Sequence, residues 1–220
     1  MKKNNKNTVD MEVIWRKEEK KKALTGETVL EMSFCWPETA GKNLKLVNRY
    51  YGRVKEEFCS RWERELYLRA CMDLVNKREQ VRTFSPWKAV LAGEVLWQDE
   101  RCCSIVMQVK EFHGDCRALE YRWGDVWNKE DGCPVRLKES LSGGIGWRGN
   151  LSKSLVASMK ALREQGIYLD PDGEKKVQKY VSLHNFALTQ DEVILYCPQC
   201  AVAPAVEGVL EFRVPRPQLV

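Results

Sequence analysis

Residues 50–74 read YYGRVKEEFCSRWERELYLRACMDL. Tyr50, Val54, Phe58, Trp62, Leu66, Ala70 and Leu74 recur every four residues. Positions four apart stack on one side of an α-helix. Tyr51 and Cys59, with Val47 just ahead of them, widen the stripe. Arg53, Lys55, Glu57, Arg61 and Arg64 take the opposite side. The pattern predicts a surface helix from about Lys42 to Glu79 with one buried face. No Gly or Pro interrupts it after Gly52.

A helix with one apolar face needs a second layer, and the flanking segments supply strands. On the N-terminal side, Val9, Met11, Val13 and Trp15 alternate as in a strand. A charged turn from Arg16 to Lys22 follows, then a strand from Thr28 to Phe34 ended by Trp36-Pro37. Together they predict a hairpin with a long loop. On the C-terminal side, strands are expected at Lys88–Trp97, Cys102–Phe112 and Cys116 to about Trp123. The turns Gln98–Arg101 and His113–Asp115 separate them into an antiparallel meander. Val135 to Leu141 leads into a helix, and Ser142–Gly146 breaks the chain. A helix from Leu151 to Gln165 ends at Gly166, a residue favoured just past helix ends. A short helix is expected at Pro171–Tyr180, then strands at Asn185–Leu188, Val193–Tyr196 and Val209–Val214. The sum is an α+β fold, an antiparallel sheet covered by one long helix and a few shorter ones. Residues 1–8 read as a disordered head and 9–220 as one domain, with a hairpin at 9–43 and a core at 44–215.

Composition agrees with a packed domain. Hydrophobic residues make up 44% of the 220 and charged residues 30%, and eight Trp, seven Tyr and six Phe are present. Such a chain can bury a sizeable core. The formal charge of +5 is concentrated at the start. Residues 1–25 hold eight Lys or Arg and four Asp or Glu, a net +4, which leaves about +1 for the rest. A near-neutral body lacks the basic stripe of a nucleic-acid binder, so no nucleic-acid partner is expected. No stretch approaches a membrane span, and no apolar segment follows the charged start as in a signal peptide. With nine cysteines, the expectation is a cytoplasmic protein with reduced, mostly buried thiols.

Few motifs carry chemistry. Cys197-Pro198-Gln199-Cys200 has the spacing of a redox pair or half a zinc site. Zinc needs further ligands, and Cys102-Cys103 could lend at most one. A structural role for these thiols is the simpler expectation, with a thiol or zinc-dependent enzyme as the alternative. His113 sits in a turn and His184 precedes a strand, neither with a local partner for acid–base work. Ser142–Gly146 lacks the ending of a phosphate-binding loop. No cofactor, no metal and no catalytic residue is expected.

The tail carries one further signal. His184 to Tyr196 reads as two short strands around a polar turn, followed by Ala203-Pro204 and Gly208. This order resembles the C-terminal half of the domain shared by the RsiV-type lysozyme sensors and the PdaC-type peptidoglycan deacetylases. The matching residues are Asn185, Phe186, Leu188, Thr189, Tyr196, Pro204 and Gly208. Phe112-His113-Gly114 is similar to a reduced form of that family's glycine-rich turn. Asn128 to Leu141, with Asp131-Gly132, resembles its strand and turn before a helix. Cys200 stands where the family has Tyr. The resemblance spans about residues 44–215. It implies a non-enzymatic α+β binding module for a protein, lysozyme by resemblance, or a cell-wall-related ligand. Loops held on a rigid scaffold are the expected contact surface. These are Ser142–Asn150, with Trp147 and Arg148, and the turn at His113.

Overall fold

A computed structural model describes residues 11–41, 44–114, 116–141 and 146–216. The expected residues Val9, Lys42 and Asn43, the tip Asp115 and the loop 142–145 lie outside them. Among the described residues the strands form two sheets, one of five in the order β1-β2-β3-β4-β5 and one of three in the order β6-β7-β8.

The first two strands are longer than the sequence suggests. β1 runs Glu12–Leu24 and β2 runs Glu27–Ala40. The run Arg16–Lys22 is therefore strand and not loop. Lys21 lies directly opposite Glu31 and pairs with it at 2.9 Å. Lys22 reaches Glu63 at 3.4 Å. Opposite charges across a ladder stabilise it, and lysines on an edge strand discourage further strand pairing. The hairpin closes through Thr25 and Gly26, both at positive φ (50° and 88°), as primed hairpin turns require.

The long helix is present, as α1 (Lys45–Arg61), a π-helical turn (Trp62–Leu66) and α2 (Tyr67–Glu79). Its buried row is Val47, Tyr51, Lys55 and Cys59 before the π turn, and Trp62, Leu66, Ala70 and Leu74 from there on. A π turn takes up an extra residue, and it falls where the two rows meet. Two expectations change as a result. Tyr50, Val54 and Phe58 flank the core, half-buried, rather than centring it. Lys55, expected on the solvent side, is buried at 8% exposure. Its Nζ pairs with Glu18 at 2.7 Å and lies 5.6 Å from the centre of the Phe34 ring and 5.4 Å from that of Trp36.

The helix returns the chain to a strand parallel to β2. β3 (Trp87–Gln98) pairs with Leu30–Phe34 of β2 in parallel, the one departure from an antiparallel arrangement in this sheet. Parallel neighbours need a long crossover, which α1 and α2 provide. β4 (Cys102–Phe112) and β5 (Leu119–Asn128) complete an antiparallel meander. Then come α3 (Leu137–Ser140), α4 (Trp147–Glu164), α5 (Gly173–Tyr180), β6 (Phe186–Leu188), β7 (Glu192–Cys197) and β8 (Leu210–Pro215).

Strand alternation stacks these elements into four layers. Cys103, Ile105, Met107 and Val109 of β4 pack with the long helix. Val106, on the other face, packs with Ala187, Ile194 and Tyr196 of the small sheet. The far face of that sheet, through Phe186, Leu188, Val193, Leu195, Phe212 and Val214, packs on Leu151, Leu155 and Met159 of α4 and Val177 of α5. The backbone of β6 at Phe186 and Ala187 lies directly against Gly124 of β5. Ser104 Oγ also accepts the Leu188 N–H at 2.8 Å.

Candidate functional site

The half-buried residues of α1, ahead of the π turn, frame a cleft. β5 is the edge strand of the large sheet, and α1 runs along one side of it. On the other side lie Asn185 and the segment Pro198–Cys200. A cavity of about 690 Å³ opens here, lined by Tyr50, Phe58, Arg61, Tyr121, Arg122, Trp123 and Gln199 among others. A second cavity of about 960 Å³ adjoins it and shares Tyr50 and Asn185. Asp125, Trp127, Trp147, Arg148 and His184 are on its wall. Both volumes fall in the range of ligand-binding clefts, about 300–1,000 Å³.

Local structure fixes the cleft walls. Phe58 and Trp123 stack at 6.1 Å between ring centres. Gln199 accepts the Glu120 N–H at 3.0 Å, tying the Pro198–Cys200 segment to the edge strand. Arg122 bonds Glu211 at 2.7 Å and lies over the Tyr196 ring at 5.7 Å.

The floor beneath Tyr50 is unusual. Asp125 Oδ1 accepts the Tyr50 hydroxyl at 3.2 Å. Its Oδ2 accepts the Tyr51 hydroxyl at 3.0 Å and the Trp123 indole N–H at 3.1 Å. Trp127 Nε1 in turn donates to the Tyr51 hydroxyl at 2.9 Å. All these donors are neutral. Burial outweighs their bonds and pushes the Asp125 carboxyl up to about 6. Burial, with the nearby Asp125 charge, also raises both tyrosines, so they stay protonated donors.

The sequence-predicted site residues divide. Trp147 and Arg148 open α4 and line the larger cavity, with the guanidinium 5.5 Å from the centre of the Trp147 ring. Residues 142–145 of their expected loop are outside the described residues. His113 is elsewhere. It stacks on Trp87 at 4.6 Å and lines a separate pocket of about 140 Å³ with Arg61, Arg69 and Glu111. Burial and the two arginines lower its pKa and favour the neutral imidazole. Glu111, 1% exposed, pairs with Arg61 and accepts the Trp62 indole N–H at 2.7 Å.

The tail residues that carry the sequence resemblance occupy the small sheet and its turns. Asn185 lines both cavities and Phe186 is buried against α4. Thr189 closes the β6–β7 turn by accepting the Glu192 N–H at 3.0 Å. Pro204 leads into a short 3₁₀ turn, Ala205–Glu207, that ends at Gly208 with φ 69°.

The cysteine pair is split between environments. Cys197 is buried, and burial pushes its thiol up to about 12. A reactive thiol needs the opposite shift. Cys200 is exposed at φ 65° on the wall of the smaller cavity. No group of three or more His, Cys, Asp or Glu able to hold a metal occurs among the described residues. Brief alkylation of the native protein at pH 7.5 is expected to label Cys116, Cys133 and Cys200, the exposed thiols, and to spare Cys197. Peptide mass spectrometry reads this directly, and fast labelling of Cys197 would contradict the burial argument.

Residues 148–217 match a family model described as "Protein of unknown function (DUF3298)". The matched segment is α4, α5 and the small sheet, about a third of the chain. Two solved structures are similar over nearly the whole chain. One is a DUF3298-family member from Bacteroides fragilis, at 15% identity and TM-score 0.63, covering 96% of this chain and 92% of that one. The other is a DUF3298-family protein from Pseudomonas aeruginosa, at 16% identity and TM-score 0.57, covering 94% and 92%. At such identities the likeness shows the fold. No curated protein matches the chain. No helix among the described residues is long and apolar enough to cross a membrane.

The sequence missed Asp125 and the cleft itself. Asp125 is 74 residues from Tyr51, and only the crossover of the long helix brings them together. The alternation Trp123, Asp125, Trp127 was the available signal, since it sets one carboxylate on an otherwise aromatic face.

Proposed function

We propose that the protein is a non-enzymatic binding module of the RsiV-sensor type, which holds an exposed loop of a protein ligand in the cleft between α1 and β5. The observation that supports this is the composition of the walls. Tyr50, Tyr121, Trp123, Trp147, Arg61, Arg122 and Arg148 line the two adjoining cavities. Tyr, Trp and Arg are the residue types that dominate binding energy at protein interfaces. Rigid elements carry most of them, so little ordering cost attends binding.

The experiment is a calorimetric titration of the whole chain with a C-type lysozyme, the ligand implied by resemblance, and separately with soluble cell-wall glycan fragments. Saturable micromolar binding of lysozyme, weakened about thirtyfold or more by Trp147→Ala, is the expected result; a loss of about 2 kcal/mol is typical of an interface anchor. Binding of the glycan alone would replace the protein ligand by a cell-wall one. Binding of lysozyme with Trp147→Ala unaffected would move the site off this cleft. The compartment is part of the same reading. The nine free cysteines fit a reducing, cytoplasmic setting, whereas lysozyme binding would place the cleft outside the cell.

A further inference from the structure

We propose that Asp125 is the cation-recognition point of this cleft, taking an ammonium or guanidinium group of the ligand, such as a lysine or arginine side chain. The inference rests on the cleft being the binding site and adds the chemistry of what enters it.

Three observations converge. First, Asp125 lies on the wall of the larger cavity, at the level of Tyr50 and Trp127. Second, its hydrogen bonds come from two hydroxyls and one indole, and none of the ion pairs among the described residues involves it. A carboxylate offers about four acceptor directions. Oδ2 accepts two bonds and Oδ1 accepts one, from Tyr50, which itself faces the cavity. Leaving a half-buried carboxylate without a counter-charge is costly, and a ligand cation would supply one. Third, the carboxylate is ringed by aromatic side chains. Tyr50 meets Tyr51 at 4.9 Å and Trp127 at 5.4 Å, both edge-to-face.

The neighbouring charges do not occupy this position. Arg136, Lys138 and Arg148 also line the cavity, yet none pairs with Asp125. Their repulsion of an incoming cation is weakened by salt where the side chains reach solvent, whereas a bond to Asp125 forms at contact. Glu57 of α1 lines the adjoining cavity and adds a second negative charge on the approach.

The test uses the whole chain at pH 7.5 and three small probes: butylammonium, butylguanidinium and the neutral analogue 1-pentanol. In NMR spectra the indole N–H signal of Trp123, which bonds Asp125, reports on it directly, and that of Trp127 reports through the Tyr51 hydroxyl. The two cations are expected to shift them saturably in the millimolar range, with the alcohol at least about tenfold weaker, since a bond to a charged acceptor is worth roughly 1.5–3 kcal/mol. Asp125→Asn is expected to bring the cations down to the level of the alcohol. The comparison of cation with alcohol in the unaltered protein needs no variant, so a poorly folded Asp125→Asn protein does not blunt it. Equal shifts from cation and alcohol, or none from either at 50-fold excess, would overturn the inference. Lysozyme binding that persists in either of those cases would keep the cleft as the binding site. Cation-specific shifts without lysozyme binding would keep the subsite and reject that partner.

Discussion

Gly124→Ala is expected to lower the melting temperature by about 2–12 °C, although it adds a single methyl group. A Cβ at this position would sit 2.5 Å from the carbonyl carbon and oxygen of Phe186 and 2.6 Å from the nitrogen of Ala187. These are backbone atoms of β6, so no side chain can swing aside to make room. The strand must move bodily. It is held by its pairing to β7 and by the bond from the Leu188 N–H to Ser104. Overpacking of a rigid contact costs about 1–3 kcal/mol and sometimes more, and a chain of this size loses about 2–4 °C per kcal/mol. The internal comparison is Gly52→Ala. Gly52 lies within α1, and an added Cβ there meets nothing within 4 Å. That variant is expected to gain up to about 1 kcal/mol from helix propensity. A Gly124→Ala melt equal to that of the unaltered protein would mean the sheets can slide apart, and the contact is not what sets their spacing.

Gly124 illustrates what the sequence could and could not show. The long helix was legible because seven apolar residues at a spacing of four, six of them bulky, leave little choice of conformation. The meander was legible from apolar runs bounded by charged turns. Neither pattern says which faces of two sheets meet. A glycine in a strand could equally mark a bulge or a weak point, and only the position of β6 shows it to be a contact. The charged strand β1 was misread for a related reason. Arg16 to Lys22 has the composition of a loop, but its charges are matched by Glu31 on the neighbouring strand and by Glu63 on the long helix. Those partners are distant in sequence. The π turn was equally hidden, because a stripe at a spacing of four continues through it, and its effect is to turn Tyr50, Val54 and Phe58 from core centre to cleft wall.

The candidate site was legible only at one edge. Trp147 and Arg148 were picked out as residue types favoured in recognition, and they do line the larger cavity. His113, in a turn on the sequence, stacks on Trp87 and lines a different pocket. The floor of the cleft comes from α1 and β5, two elements separated by the whole of β3 and β4. A sequence read locally assigns Tyr50 and Tyr51 to a core face and Asp125 to a strand. Their meeting is a consequence of the parallel β2–β3 pair, which sets the long helix across the sheet.

The same meeting makes folding stability depend on pH in an unusual direction. Most carboxylates in folded proteins are held below their unfolded pKa and add stability as pH rises. Asp125 is held above it, at about 6, against about 3.9 for an aspartate in an unfolded chain. Between these values the folded protein keeps a proton that the unfolded chain releases, so stability falls as pH rises. Asp125 therefore stabilises the fold fully below about pH 4 relative to its ionised state. The contribution is lost through pH 4–6 and gone above about 7. Integrated over that window, the loss is at most about 3 kcal/mol. Asp125→Asn removes the titration while keeping the shape. Its oxygen can accept from Tyr51 and Trp123, and its amide can donate to Tyr50. Urea unfolding of both proteins at pH 4, 5, 6 and 7 separates this group from all others, which cancel in the difference. The unaltered protein is expected to lose stability relative to Asp125→Asn across the series, most steeply between pH 4 and 6. A constant difference would show that the three neutral donors fully offset burial, and a difference of opposite sign would show a counter-charge at the cleft floor.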